Sequence, residues 1–324
     1  MPLSPAGETA TRVLITGASG FVGRRLARRL SVEGAGYEVL SLGGPGHADQ
    51  GRVVDLTDAA ATADVVAELR PDAIVHLAAF SSVGQGAGRP HEVWASNFDA
   101  TRNLVEAASA LEQPPRFVFA STAEVYGRGF NDGPRDEDAA LAPASTYARS
   151  KVACEYMLTD LAASLDVVIL RLFNHTGPGQ GEAFVVPTLA AQLARLDPAV
   201  AGEVRVGNLE ACRDFTDVED MVDAYAAVLA DPDGAAGVRI YNVGSGRTRS
   251  IQSVLDVLIR HHGGEVVVTQ DPARMRASDV PVNPGVFDRF RGRYGWAPVR
   301  DFDATIAAIY DHERGRAQGA SQGA

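Results

Sequence analysis

The stretch "RVLITGASGFVGRRLARRL", residues 12–30, decides the fold expected for the whole chain. It opens with an apolar run of strand length and closes with apolar positions repeating at helical spacing. Between the two, Gly17, Gly20 and Gly23 stand three apart. Glycines there permit a tight turn, close approach of backbone amides to an anion, and close packing of helix on strand. The helix that follows directs the positive end of its dipole to the same spot. A pyrophosphate cradle is expected, with Ser19, Phe21 and Val22 completing the loop. Three glycines serving only a tight turn is the plainer alternative, and the pattern around them argues against it.

Working outward, "EVLSLGG" (38–44) and "GRVVDLT" (51–57) read as further strands, which with the opening stretch make a βαβ unit. A helix over 58–69 leads to "AIVHLAA" (73–79), and one over 91–110 leads to "RFVFAS" (116–121). Another, within "STYARSKVACEYMLTDLAASL" (145–165), leads to "DVVILRLF" (166–173). These strands are continuous apolar runs, as expected where helices cover both faces of a parallel sheet. The pattern predicts an α/β fold with a doubly wound parallel sheet over residues 11–173. After Phe173 the chain turns rich in Gly and Pro, "NHTGPGQGE" (174–182), and the alternation fades. Helices are expected over 184–196, 217–230 and 250–262, with "VRIYNVGSG" (238–246) supplying a strand that returns to the sheet near 238–244. Residues 174–237 and 245–312 are then a smaller, discontinuous substrate lobe. The ending "ERGRAQGASQGA" (313–324) has little apolar content and reads as a flexible tail.

The chain has 324 residues, 46% of them hydrophobic, enough for one large domain or two joined lobes with real cores. Cys154 and Cys212 lie far apart and match no metal-ligand spacing, which predicts free thiols in a reducing compartment and no metal site. The start "MPLSPAGETATR" lacks a basic and then apolar leader, and no apolar run approaches the roughly 20 residues of a membrane span. A cytoplasmic location is expected. A net charge of −11 argues against nucleic-acid or membrane-surface binding, although a few arginines can still form a pocket for a small anion.

Tyr147 and Lys151 stand at i and i+4, on one face of their expected helix. An ammonium beside a phenol favours the phenolate, so the tyrosine is expected to fall from its ordinary value of about 10. That suits a group that gives or takes a proton. A surface pair is the plainer alternative for any Y-x-x-x-K, and the glycine loop and strands before it favour the chemistry. "FASTAEVYG" (119–127) crowds Ser121, Thr122, Glu124 and Tyr126 where a strand ends.

The G-x-x-G-x-x-G spacing, the Y-x-x-x-K pair and the strands between them resemble the extended short-chain dehydrogenase/reductases, whose first lobe is a Rossmann sheet. The resemblance implies a nicotinamide dinucleotide on the glycine loop, with Asp55 and Leu56 at the adenine and Leu77, Ala78 and Ala79 beneath the cofactor. It makes Thr122 the partner of the reacting oxygen, Tyr147 the proton carrier, and Lys151 also a holder of the nicotinamide ribose. Asn97 matches a helix position that is structural or close to the cofactor. The second strand ends in Ser41 and glycines in place of the acidic residue that would bind a ribose 2′-hydroxyl, which favours NADP(H) over NAD(H). Arg24 and Arg52 are the arginines that could reach a 2′-phosphate.

The second half sharpens the resemblance. "RLFNHTGPGQ" (171–180), "VGNLEACRDFTDV" (206–218) and "RMRASDVP" (274–281) are most similar to the GDP-4-dehydro-6-deoxy-D-mannose reductase family, from about Arg12 to Ile309. That family implies Asn174 on the sugar pyrophosphate, Arg213 clamping a phosphate, and Arg276 with Asp279 at phosphate and ribose. Ser81 and Val206 join the same substrate set, with the base near Val206 to Leu209. Two arginines converging from separate loops suit a diphosphate, since each fork can hold two oxygens. The expected reaction is reduction of the C4 keto group of a GDP- or dTDP-linked 4-keto-6-deoxyhexose, Glu124 serving as a base or sugar ligand. A 4,6-dehydratase is the first rival, but Ala123 stands where elimination would use an acid beside Glu124. A C4 epimerase is the second, and a non-catalytic nucleotide-binding regulator a more distant third. The resemblance also implies a homodimer packed through the helices around 95–110 and 147–163.

Overall fold

The computed structural model describes residues 10–44, 52–80, 86, 88–161, 164–275 and 280–322. The first lobe runs β1 (Thr11–Thr16), α1 (Phe21–Leu30), β2 (Tyr37–Gly43), β3 (Arg52–Val53), α2 (Ala59–Leu69) and β4 (Ala73–His76). It continues with α3 (Pro90–Trp94), a π-helical turn (Ala95–Asp99), α4 (Ala100–Ser109), β5 (Arg116–Thr122), α5 (Thr146–Leu161) and β6 (Asp166–Leu172). Then come β7 (Asn174–Thr176), α6 (Val185–Ala194), β8 (Gly202–Val206), β9 (Cys212–Asp217), α7 (Val218–Leu229) and β10 (Gly237–Val243). The chain finishes with β11 (Thr248–Ser250), α8 (Ile251–His262), β12 (Val266–Gln270), α9 (Asp288–Tyr294) and α10 (Phe302–Gln322).

Seven strands form one sheet in the order β10-β6-β5-β4-β1-β2-β3, and every pairing in it is parallel. The strand order reverses between β1 and β4, so a crevice opens at the carboxyl ends of those strands, where open α/β sheets take their ligands. Val13, Leu14 and Ile15 are wholly buried because both faces of the sheet are covered. One face packs Leu14, Ile74, Phe117 and Ile169 against Val65, Leu104 and Leu158 of α2, α4 and α5. The other packs Val13, Ile15 and Leu170 against Leu26 of α1 and Met221, Tyr225 and Val228 of α7.

Helix α7, expected in the second lobe, lays its apolar side on this face of the sheet beside α1. Trp296 pins it, donating to the Asp220 carbonyl at 3.1 Å. The second lobe gathers α6, α8 and α10 around Leu193, Leu255, Ile306 and Ile309. The tail expected over 313–324 is instead helical to Gln322, continuing α10. Arg314 explains the anchoring, because its guanidinium donates to the carbonyls of Ala194 and Leu196 at the end of α6, at 2.7 and 2.6 Å. The strand expected over 51–57 is ordered as strand only at Arg52 and Val53. The helix expected over 91–110 is interrupted by its π-helical turn.

Candidate active site

At the tip of β1, Gly17 takes φ +69°, and a Cβ on it would lie 2.8 Å from the Ala78 nitrogen. A Cβ on Gly23 would stand 2.2 Å from the Gly17 carbonyl oxygen. The chain therefore has no room for side chains where α1 leaves the loop. Gly20 caps α1 without any side-chain bond, so the first amides of the helix stay open to an anion. Ser19, Phe21 and Val22 are half-buried around them. Beyond the loop lies a small cleft of about 110 Å³, lined by Gly17, Gly43, Asp55, Leu56, Ala78 and Ser96 among others. Asp55 uses one carboxylate oxygen to accept from the Thr57 amide and hydroxyl, at 2.9 and 2.7 Å. Ala78 donates to the Thr16 hydroxyl at 3.3 Å and Leu77 to the Thr16 carbonyl at 3.2 Å, fixing the strand end on which Ala79 follows.

The four polar residues of "FASTAEVYG" divide by direction. Thr122 lies beside the Tyr147 phenol and acts to lower its pKa, with Glu124 close enough for its charge to be felt there. Ser121 and Tyr126 turn the other way: Ser121 donates to Glu155 and Tyr126 to Asn242, both in the interior. Ala123 is buried among Val125, Tyr126, Phe130, Phe173 and Phe287. It contributes a methyl group to that cluster and no polar atom.

Burial pushes the Tyr147 phenol up to about 12, against the influence of Thr122 and with help from Glu124. This reverses the direction expected from the Tyr–Lys spacing. The reason is local: the Lys151 ammonium donates to the Ala120 carbonyl at 2.8 Å and lies 4.6 Å over the Phe119 ring. Burial in turn brings Lys151 down to about 8, resisted by Cys154 and Glu155. Lys151 is the one lysine of the sequence; the other cations among its 30 Lys and Arg residues are arginines. An amine is retained only where a compact ion with an adjustable pKa is needed, a property that a guanidinium lacks.

A larger cleft of about 470 Å³ opens beside Glu124, with Phe130, Asn174, His175, Val206 and Arg213 in its walls. Asn174 accepts from Asn283 at 3.0 Å, and Arg213 donates to the carbonyls of Cys212 and Val280, both at 2.8 Å. The fold thus brings Glu124, Asn174, Val206 and Arg213 to one cavity.

The model of the NAD dependent epimerase/dehydratase family matches residues 13–244. The chain belongs to that family. GDP-6-deoxy-D-mannose reductase of Pseudomonas aeruginosa is 32% identical over 302 residues, covering 92% of this chain and 95% of the relative. dTDP-6-deoxy-L-talose 4-dehydrogenase (NAD(P)(+)) of Kitasatospora kifunensis is 31% identical over 92% of this chain and 94% of its own length. Among solved structures, RMD from Pseudomonas aeruginosa complexed with NADPH has a TM-score of 0.82 at 29% identity, covering 95% of this chain and 100% of that one. A putative epimerase from Burkholderia cenocepacia has the same TM-score at 39% identity, with the same coverage.

As a member of this epimerase/dehydratase family the protein is a nicotinamide-dependent enzyme, and the bare glycine cradle fits such a group. Of the two arginines considered for a 2′-phosphate, Arg52 stands on β3 opposite Leu42 of β2. Arg52 pairs with Glu68 at 2.7 Å on the surface, and the Arg24 guanidinium lies toward Gly179 and His312. Ser81, Arg276 and Asp279 lie outside the described residues. Three cleft residues escaped the sequence reading. His175 stacks on Phe21 of the glycine loop, with parallel rings 6.3 Å apart, and burial lowers its pKa. Arg205 and Arg274 also line the cleft. Arg274, two positions before Arg276, could have been noticed in "RMR"; His175 and Arg205 carried no spacing signal.

Proposed function

We propose that this enzyme reduces the C4 keto group of a nucleotide-diphosphate 4-keto-6-deoxyhexose, GDP- or dTDP-linked, with NADPH as the favoured donor. One observation carries the proposal: the Tyr147 phenol sits beside Thr122 and Glu124 in surroundings that raise its pKa and so favour the protonated form. Reduction of a carbonyl needs an acid at the oxygen. Epimerisation and 4,6-dehydration begin the other way, by taking the proton from a C4 hydroxyl. Ala123 adds no second acid, which also favours plain reduction over elimination.

A bound reduced nicotinamide supplies the hydride. Thr122 orients the carbonyl oxygen and Tyr147 delivers its proton, so that one hydride and one proton together convert ketone to alcohol. Lys151, close beneath, returns positive charge to the site as the phenol loses its proton and holds the nicotinamide ribose. Gly17, Ser19, Gly20, Phe21, Val22 and Gly23 receive the pyrophosphate, while Asp55, Leu56, Leu77, Ala78 and Ala79 border the adenosine half. Asn174 and Arg213 take the sugar diphosphate, joined by Ser81, Arg276 and Asp279, and Val206 borders the base. The names of the two relatives, a GDP-sugar reductase and a dTDP-sugar 4-dehydrogenase, support this substrate class. A homodimer through α4 and α5 is part of the proposal. No helix among the described residues is long and apolar enough to cross a membrane.

The test is to mix the protein with a GDP- or dTDP-linked 4-keto-6-deoxyhexose and NADPH or NADH. One equivalent of reduced cofactor lost per alcohol formed is expected. Product formed without net loss of reduced cofactor would assign the site to an epimerase or dehydratase instead.

A further inference from the structure

Three consecutive residues of β5 hold three residues on one face of α5. Thr122 lies beside Tyr147, the Ala120 carbonyl accepts from Lys151, and Ser121 donates to Glu155. Tyr147, Lys151 and Glu155 stand four apart, so they rise along a single helical face. Glu155 is the buried end of that row, its side chain 4% exposed.

Its partner comes from the next strand. Arg171 lies directly across from Ser121 in the β5–β6 register. Its side chain, 5% exposed, grips Glu155 through Nη2 at 2.7 Å and through Nε at 3.1 and 3.2 Å. The remaining nitrogen, Nη1, donates to the Tyr126 hydroxyl and the Glu137 carbonyl, both at 2.9 Å. Every polar atom of the pair has a partner, which is what makes a charge pair at this depth tolerable. A pair that only filled space could be apolar at lower desolvation cost.

We propose that Glu155, held by Arg171 and Ser121, is a positioning residue that fixes both the charge and the place of Lys151. The carboxylate stands one helical turn below the amine and offsets the cost of burying it, while its bond to Ser121 locks α5 to the strand that carries Thr122. Burial brings the amine down to about 8, and Cys154 and Glu155 keep it from falling further. The other titratable groups acting on Lys151 are Cys154 of its own helix, a thiol that burial pushes up to about 11, and His76 on β4, lowered by burial to about 3. Both are uncharged near neutrality, so Glu155 is the charge that counts.

Because the sequence has one lysine, lysine labelled with carbon-13 at the ε position gives one resonance that needs no assignment. Its titration followed by NMR without substrate measures Lys151 directly. Glu155→Gln is expected to lower the Lys151 pKa by about one unit, whereas Glu155→Asp, which keeps the charge, leaves it near the wild-type value. A pair with only a packing role would make the two variants titrate alike, and that result overturns the proposal. If Glu155→Gln alone does not fold, the charge-balanced Glu155→Gln/Arg171→Met protein takes its place; a lowered Lys151 pKa supports the proposal and an unchanged one overturns it. The role rests on Lys151 serving the reacting site, but the resonance is read without substrate, so failure of the 4-keto-sugar assignment would be separately visible.

Discussion

The glycine loop and the larger cleft beside Glu124 are made of different materials. The cradle is backbone: Gly17 and Gly23 leave no space for a Cβ, Gly20 little, and the strand end at Leu77 and Ala78 closes on Gly17. The cleft is side chain, gathered from β7, β8, β9 and the loops around Glu124, Arg274 and Asn283. Backbone geometry of this kind admits few substitutions, so the cofactor class is held fixed. Side chains on separate segments change one at a time without disturbing the sheet, so the substrate is the adjustable half. Relatives described as reductase, dehydrogenase and epimerase at 30–32% identity accord with that division.

The sharpest probe is Tyr147. Tyr147→Phe removes the proton but not the packing, and kcat is expected to fall roughly 10²- to 10⁴-fold with cofactor affinity unchanged in calorimetry. A matching loss of cofactor binding would dissolve the division. Next in size, Gly17→Ala forces a left-handed φ of +69° on a side chain that meets the Ala78 nitrogen at 2.8 Å. Cofactor affinity should drop at least about 100-fold, since the left-handed conformation alone costs ~1–2 kcal/mol and the clash adds to it. Near-normal binding by that variant would show the cradle to have slack.

On the other side, Arg213→Ala should raise the KM for the sugar nucleotide about 10- to 100-fold, the range expected for losing a charged hydrogen bond, and leave the cofactor Kd within about twofold. Equal damage to both constants would mean that the cleft and cradle are one unit. The smallest effect is expected from Glu124→Gln. Glu124 raises the Tyr147 pKa, so its neutralisation should bring the value down from about 12 and move the basic limb of the kcat–pH profile to lower pH. A limb that stays in place, or moves to higher pH, would separate Glu124 from Tyr147 electrostatically.

Much of the cradle was legible because it is local. Gly17 to Gly23 lie within one turn-and-helix unit, and apolar strand runs announce a sheet covered on both faces. Tyr147 and Lys151 were legible for the same reason, one helical turn apart. The direction of the Tyr147 shift was not, because it depends on which carbonyl Lys151 reaches across to β5. Nor was the position of α7, whose amphipathic pattern fits either lobe until the sheet face beside α1 is seen to need cover. The helical 313–322 segment escaped for a similar reason, its anchor being the end of α6, over a hundred residues earlier in the chain.

The sequence by itself determined the Rossmann sheet, the glycine cradle and the Tyr–Lys pair, all of which are specified by neighbours within a few residues. Only the tertiary structure decided how "FASTAEVYG" is used. Thr122 faces the site, Glu124 the cleft, and Ser121 and Tyr126 the buried Glu155–Arg171 pair. Strand alternation sets adjacent side chains on opposite faces, but what each face meets is supplied by α5, β6 and β10, and only their packing sets one hydroxyl beside Tyr147 and bonds its neighbour to Glu155.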